Sequence, residues 1–407
     1  MRNIREYGAV GDGITLDTAA IQRAIDDGGM VYIPAGDYLI GTLYLKSNGG
    51  LHLAPGAVLH ASHNREDYNA DDYCAQNRVF SSEWVTGAHL ISAVEQENIT
   101  IEGHGTIDGD GRHWVNEEHD WTPDETRPAQ MLFLCECRGV HVTDVRLQNG
   151  SYWHLFLHGC CDVVIRGLTI RGDRPRWTND GIDIDCCRNV RVSDCLVDVG
   201  DDALTLRAYG EPLLHRDAVC ENVVVTNCVL RAGEDYGIRI GVGEGVIRNC
   251  TLSNLDIEAP NCGGLGIMGR WADHARIITS AENIHCTGLT VRAKRPLEFI
   301  VAHGVKPLPA DCFVRDIVCS GLLLFPTESM PLFGLPASPL SGVRISDVTV
   351  KLPPDFPADW KVFLIRSCED IRIRGLSLIN GAGRSEASCA EITDSSHIVI
   401  NGQEQAR

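Results

Sequence analysis

Thr178-Asn-Asp-Gly-Ile-Asp-Ile-Asp-Cys-Cys-Arg-Asn-Val-Arg-Val-Ser-Asp-Cys-Leu-Val-Asp-Val-Gly-Asp-Asp-Ala-Leu-Thr-Leu-Arg-Ala-Tyr209 is the stretch that decides how the chain is read. Two short strands share one register in it. Ile182 and Ile184 alternate with Asp183 and Asp185, and Leu204 and Leu206 alternate with Thr205 and Arg207. Each strand follows an acidic turn, Asn179-Asp180-Gly181 or Gly200-Asp201-Asp202. The step from Ile182 to Leu204 is 22 residues. Strand and turn repeating at such a period are the signature of a parallel β-helix, in which each coil stacks on the last. Stacked strands lie about 4.8 Å apart, so Asp180, Asp201 and Asp202 are expected on one surface. Three carboxylates in one place repel one another, and that arrangement calls for a chemical reason.

The same unit recurs along the chain. Val140-His-Val-Thr-Asp-Val-Arg-Leu147, Val163-Val-Ile-Arg-Gly-Leu-Thr-Ile170, Val190-Arg-Val-Ser-Asp-Cys-Leu-Val197 and Val223-Val-Val-Thr-Asn-Cys-Val-Leu230 are versions of it. Val343-Arg-Ile-Ser-Asp-Val-Thr-Val350 and Ile371-Arg-Ile-Arg-Gly-Leu-Ser-Leu378 continue it, and a last strand pair is expected near His397-Ile-Val-Ile400. Thr18 to Asp26 carries Ala20, Ile21, Ala24 and Ile25 at helical spacing, with Asp17 or Thr18 as its cap. Such a helix covers an exposed first coil, as terminal repeats require. The expectation is an all-β, right-handed parallel β-helix in one domain, 1–407, with an N-terminal cap over about 1–30 and functional coils over about 150–275. Loops at 61–93, 109–128, 172–180, 208–218 and 303–312 interrupt the repeat, and long loops on a regular scaffold are where binding resides.

Composition narrows the function. With 407 residues and 44% hydrophobic content there is material for a continuous core. A formal net charge of −19 argues against nucleic acid or an anionic membrane as partner. No stretch approaches the about 20 apolar residues of a membrane span. Met1-Arg-Asn-Ile-Arg-Glu-Tyr-Gly8 lacks an apolar leader core, so a cytoplasmic chain is expected, or a secreted one if a leader has been removed. The 17 cysteines show no metal-ligand spacing and are read as reduced, small apolar residues stacked in ladders. No cofactor and no metal are expected. The oligomeric state is open.

Taken together, these pieces resemble glycoside hydrolase family 28, the polygalacturonase-like enzymes. The resemblance runs through Tyr7-Gly-Ala-Val-Gly-Asp-Gly13, Gly105-Thr-Ile-Asp-Gly-Asp-Gly111, Asn149-Gly-Ser-Tyr-Trp-His154, Thr178-Asn-Asp-Gly-Ile-Asp183 and, most specifically, Gly200-Asp-Asp-Ala203. It implies inverting hydrolysis of pectin-type glycosidic bonds, with Asp201 as general acid and Asp180 and Asp202 positioning and deprotonating the water. The physical logic agrees: such hydrolysis needs one protonated and one ionised carboxyl, and clustered carboxyls push one another's pKa up. The bland reading is that Asp-Gly and Gly-Asp-Asp are ordinary turns. Both together in adjacent coils favour catalysis.

Two departures from the family pattern stand out. Tyr236, within Asp235-Tyr-Gly237, stands where the family has the His of Gly-His-Gly. Gly266-Ile-Met268 stands where the family has Arg-Ile-Lys, whose cations hold the galacturonate carboxylate. An ordinary polygalacturonase is therefore not expected. Replacement cations are sought in Arg239, placed by alternation beside Thr205 and one coil from Asp183, in Arg207 beside Asp185, and in Arg270. An outward Asp–Arg ladder that only steadies the coils is the competing reading. His154 is a candidate sugar contact, whereas His158 is read as solvated or stacked. Trp153, Trp177 and Trp271 are candidate sugar platforms. The expected partner is an oligosaccharide or polysaccharide. The alternatives are a β-helix lyase or epimerase on uronic acids, in which Asp180, Asp183, Asp201 and Asp202 hold Ca²⁺, and a non-catalytic carbohydrate-binding β-helix.

Overall fold

The repeat unit bends the chain at its fifth residue. Asp144, Gly167, Asp194, Asn227, Asp347 and Gly375 occupy that place and have φ of 64°, 67°, 58°, 55°, 51° and 61°. Glycine enters this left-handed region freely, and Asn and Asp tolerate it better than other side chains. The apolar residues around each bend, such as Val140, Val142, Val145 and Leu147, are buried. Polar rungs tie one bend to the next: Asn254 Nδ2 donates to Asn227 Oδ1 at 2.7 Å, and Asn189 Nδ2 to Asp162 Oδ1 at 2.9 Å. The result is a right-handed parallel β-helix. The computed structural model describes all residues except 78–85, 115–127, 129, 175, 271–277, 304–311, 358, 381–388 and 406–407.

The chain forms two compact units. The first holds Met1–Asp201 with Gly210–Asp217, the second Asp202–Tyr209 with Ala218–Arg407. In the first, Leu132 pairs with Leu155 and Leu155 with Ile182, parallel, in steps of 23 and 27 residues. In the second, Leu204 pairs with Ile238, Ile238 with Leu265 and Leu265 with Leu297, in steps of 34, 27 and 32. These coils are longer than the 22-residue period read from the sequence. The excess is loop, inserted at corners while the strand register is kept. Ser396–Ile400 folds back antiparallel on Gln403–Glu404 at the end of the second unit.

The helix runs from Thr18 to Asp26 and buries Ala20, Ile21, Ala24 and Ile25, as its spacing predicts. Asp17 takes the cap position, but its carboxylate bonds elsewhere. It accepts the N–H groups of Val10 at 2.6 Å and Gly11 at 2.8 Å, so it closes the Gly-rich turn instead of the helix end. All seventeen cysteines are free thiols, and fifteen are buried. Cys137, Cys160 and Cys187 are fully buried, and the Cys160 N–H donates to Cys187 Sγ at 3.3 Å. Cys286 and Cys319 pair across neighbouring strands. Among the described residues no helix is long and apolar enough to cross a membrane.

Candidate active site

In the first unit the acidic turns are pinned by residues that are not themselves acidic. Asn179 is fully buried. Its Oδ1 accepts the N–H of Gly200 at 2.7 Å and of Asp201 at 3.3 Å, and its Nδ2 donates to the Asp173 carbonyl at 2.9 Å. One amide thereby holds the turn of one coil onto the turn of the next. Asp180 and Asp201 are both buried or nearly so, and they offer carboxylate oxygens within 4.8 Å of each other. At Gly200 a Cβ would stand 2.1 Å from the Arg176 carbonyl oxygen and 2.4 Å from that of Asp173. Glycine alone fits there.

His154 was expected to face sugar, and the structure assigns it another place. It is fully buried. Its Nδ1 donates to the Asp180 carbonyl at 2.8 Å while Nε2 accepts the Gly150 N–H at 3.1 Å. Burial pulls its pKa down to about 4, so it is the neutral imidazole. It positions the Asp180 turn from beneath. His158 is likewise fully buried rather than solvated, and it stacks on Phe156 at 5.2 Å. Trp153 is 3% exposed, stacked on Tyr152 and edge-on to Phe156. It is a packing residue, not an open platform. Trp177, the second candidate platform, is 47% exposed. Trp271 lies outside the described residues. Asp183 and Asp185, read as an outward row, are covered completely. The loop carrying Trp177 is fixed by Asp173, which takes Arg112 at 3.0 and 2.8 Å and Arg176 at 3.4 Å.

In the second unit Asp202 is 1% exposed. Its Oδ1 accepts the Tyr236 N–H at 2.9 Å, and its Oδ2 meets Arg239 Nη1 at 3.2 Å. Burial first, then the charge of Asp235, raises the Asp202 pKa to about 7, although Arg239 and the Tyr236 N–H oppose that rise. Arg239 pairs with Thr205 in register, as alternation predicts. Its guanidinium also reaches Asp235 at 3.8 Å, and it lies 5.8 Å from the Tyr236 ring centre. Arg207 and Arg270 are buried, and Arg270 Nε donates to the His303 carbonyl at 3.2 Å.

Residues 30–265 match the profile of glycosyl hydrolases family 28. The chain belongs to that family. It is therefore a glycoside hydrolase, acting on O-glycosyl bonds, in a family of pectin-type polysaccharide hydrolases. It is 26% identical over 389 residues to a probable polygalacturonase of Vitis vinifera, covering 85% of this chain and 73% of that one. It is 28% identical over 256 residues to the exo-poly-alpha-D-galacturonosidase of Dickeya chrysanthemi. That match covers 51% of this chain and 42% of the relative's length, less than half of that protein. A family 28 exopolygalacturonase structure from Yersinia enterocolitica superposes with a TM-score of 0.77 at 20% identity, over 98% of this chain and 78% of that one.

In this family 28 chain, sequence reading missed Asn179 as a positioning group, although it stands next to Asp180. It also missed Glu298 and Arg295. A signal was available for Glu298, the lone carboxylate in the apolar run Leu297-Glu-Phe-Ile-Val301. Among the described residues, Glu95, Glu136 and His215 also offer groups close enough for a cation. Glu136 there already accepts the N–H groups of Leu214 and His215 and the Gln76 amide, which fastens the 210–217 loop.

Proposed function

We propose that this chain is an inverting hydrolase of pectin-related oligosaccharides that takes an uncharged or modified sugar at the cleavage point. In this reading Asp201 is the general acid, and Asp180 and Asp202 hold and deprotonate the attacking water. The observation that carries it is the pair of buried carboxylates, Asp180 and Asp201, held within 4.8 Å of each other by the Asn179 bridge between coils. Burying two like charges is costly, and a fold that keeps them together supports a chemical use for them. Altered residues at Tyr236 and Gly266-Ile-Met268 support a substrate other than plain polygalacturonate. The experiment is product analysis by NMR on a panel of pectic oligosaccharides, with Asp201→Asn as control. Expected are cleavage with inverted anomeric configuration by the wild type and loss of cleavage by the variant. Release of nothing from any member, or full activity in the variant, overturns the reading. Unsaturated, ultraviolet-absorbing products that vanish with a chelator would establish a lyase instead.

A further inference from the structure

Beside Asp202 the second unit carries a group of paired charges. Two guanidiniums each bridge two carboxylates. Arg239 bridges Asp202 and Asp235. Arg295 bridges Glu298, at 2.7 Å, and Glu328, at 2.8 Å. Among the described residues these ion pairs set four carboxyl groups against two guanidiniums, and burial lowers the pKa of the adjacent His303. Tyr236 joins the two halves. Its N–H is on Asp202, while its ring lies where the Cβ atoms of Gly263 and Gly266 would be, at 2.2 and 2.7 Å. Strand register sets Arg239 beside Gly266 and Gly266 beside Glu298.

Glu298 is 2% exposed, and only one of its oxygens is used. Oε2 accepts from Arg295 Nε. Oε1 has no hydrogen-bond donor among the described residues, and its nearest charged partner, His303 Nε2, is 3.8 Å away. An acceptor oxygen without a donor on an otherwise buried side chain is a place that a ligand hydroxyl can fill.

We propose that Glu298 Oε1 receives a hydroxyl of the glycosyl residue bound next to Asp202, and that this residue is uncharged. A uronate there would meet Glu298, whose partner Arg295 is already shared with Glu328, so the site disfavours it by repulsion. This rests on the hydrolase reading above and names the substrate class for the same site. Two sources supply the same chemistry, a neutral hexose and a methyl-esterified uronate.

The test compares three probes on the wild type and on Glu298→Gln: an oligogalacturonate with free carboxylates, the same oligomer fully methyl-esterified, and an oligomer of neutral hexoses. Gln keeps an oxygen for Arg295 and turns the other position from acceptor into donor. In the wild type, kcat/KM for the ester over the free acid should exceed about tenfold, mainly through KM, because both probes carry the hydroxyls and only the free acid sets a second negative charge against Glu298. In Glu298→Gln that ratio should fall to near unity. Glu298→Asp, which keeps the charge but shortens the reach, should lower it too, and serves if the Gln variant does not fold. A wild type that prefers the free acid, or a ratio that both variants leave unchanged, overturns the inference. If the wild type cleaves none of the three, the hydrolase reading fails by itself. Equilibrium binding of the same probes then decides this one: tighter binding of uncharged probes, lost in Glu298→Gln, upholds it, and equal or absent binding overturns it. The relative preference for ester and hexose distinguishes the two sources.

Discussion

The Gly200 N–H donates to the Asn179 Oδ1 at 2.7 Å, and this bond ties the acidic turn of one coil to the acidic turn of its neighbour. The same amide also serves the Asp201 N–H and the Asp173 carbonyl. Asn179→Ala takes the amide acceptor from two buried N–H groups, each worth about 1–3 kcal/mol, while the Asp173 carbonyl keeps the Arg176 N–H at 3.2 Å. The expected outcome is a lower denaturation midpoint together with a loss of activity beyond about tenfold, since the carboxylates it aligns need sub-ångström placement. Chemical unfolding and steady-state rates measured on one preparation check both. An Asn179→Ala chain with normal activity would show that the carboxylates are held by something else.

Gly200→Ala should be worse than an ordinary overpacking change. Its Cβ would lie 2.1 and 2.4 Å from two backbone carbonyl oxygens, which are not flexible side-chain ends that could move away. Overpacking costs typically about 1–3 kcal/mol, and backbone movement here displaces Asp201 as well. Thermal melting and activity should therefore fall together. A melting point equal to that of the wild type would show that the turn relaxes without strain.

Much of the fold was legible because a β-helix repeats its solution. The fifth-residue Asp, Asn or Gly and the flanking Val and Ile pairs state the bend and the core in every coil. Coil length was less legible, since loops inserted at the corners change the period without touching the register. The acidic turns were visible as motifs. The way they are held was not: His154 and Trp153 sit in a motif beside surface loops, and nothing in the letters shows that both are sealed under the strands. Asp17 reads as a helix cap, yet the Val10 and Gly11 N–H groups compete for its carboxylate and win. Glu298 hid in the opposite way, since its meaning depends on which strand passes beside it.

The Asp202 carboxyl gives a pH signature. Its pKa is raised from 3.8 to about 7 in the folded chain, so between those values the folded state holds a proton that the unfolded state has released. Its contribution to stability is fully present below about pH 4 and is lost as pH rises towards 7. Asp202→Asn keeps an acceptor for the Tyr236 N–H and cannot ionise. The melting temperature of the variant relative to the wild type should therefore rise as pH goes from 5 to 8, and then level off. If Asp202 also acts as a base, wild-type kcat/KM should climb through pH 7. A profile that falls through pH 7 would assign Asp202 the acid role instead.

The two tryptophans that looked alike in sequence should part in experiment. Trp153 is buried against Tyr152 and Phe156, and its truncation to Ala should cost about 3–5 kcal/mol by emptying packed space. Trp177 is 47% exposed on the loop that Asp173 fixes to Arg112 and Arg176. Removing its ring takes away little packing but a flat apolar face on which a sugar ring can stack. Trp177→Ala should leave the unfolding midpoint near that of the wild type and raise KM severalfold, with kcat nearly unchanged. Trp153→Ala should show the reverse, a lower midpoint with KM little changed in whatever fraction stays folded. A Trp177→Ala variant with unaltered KM on every oligosaccharide cleaved by the wild type would remove that loop from the sugar-binding surface.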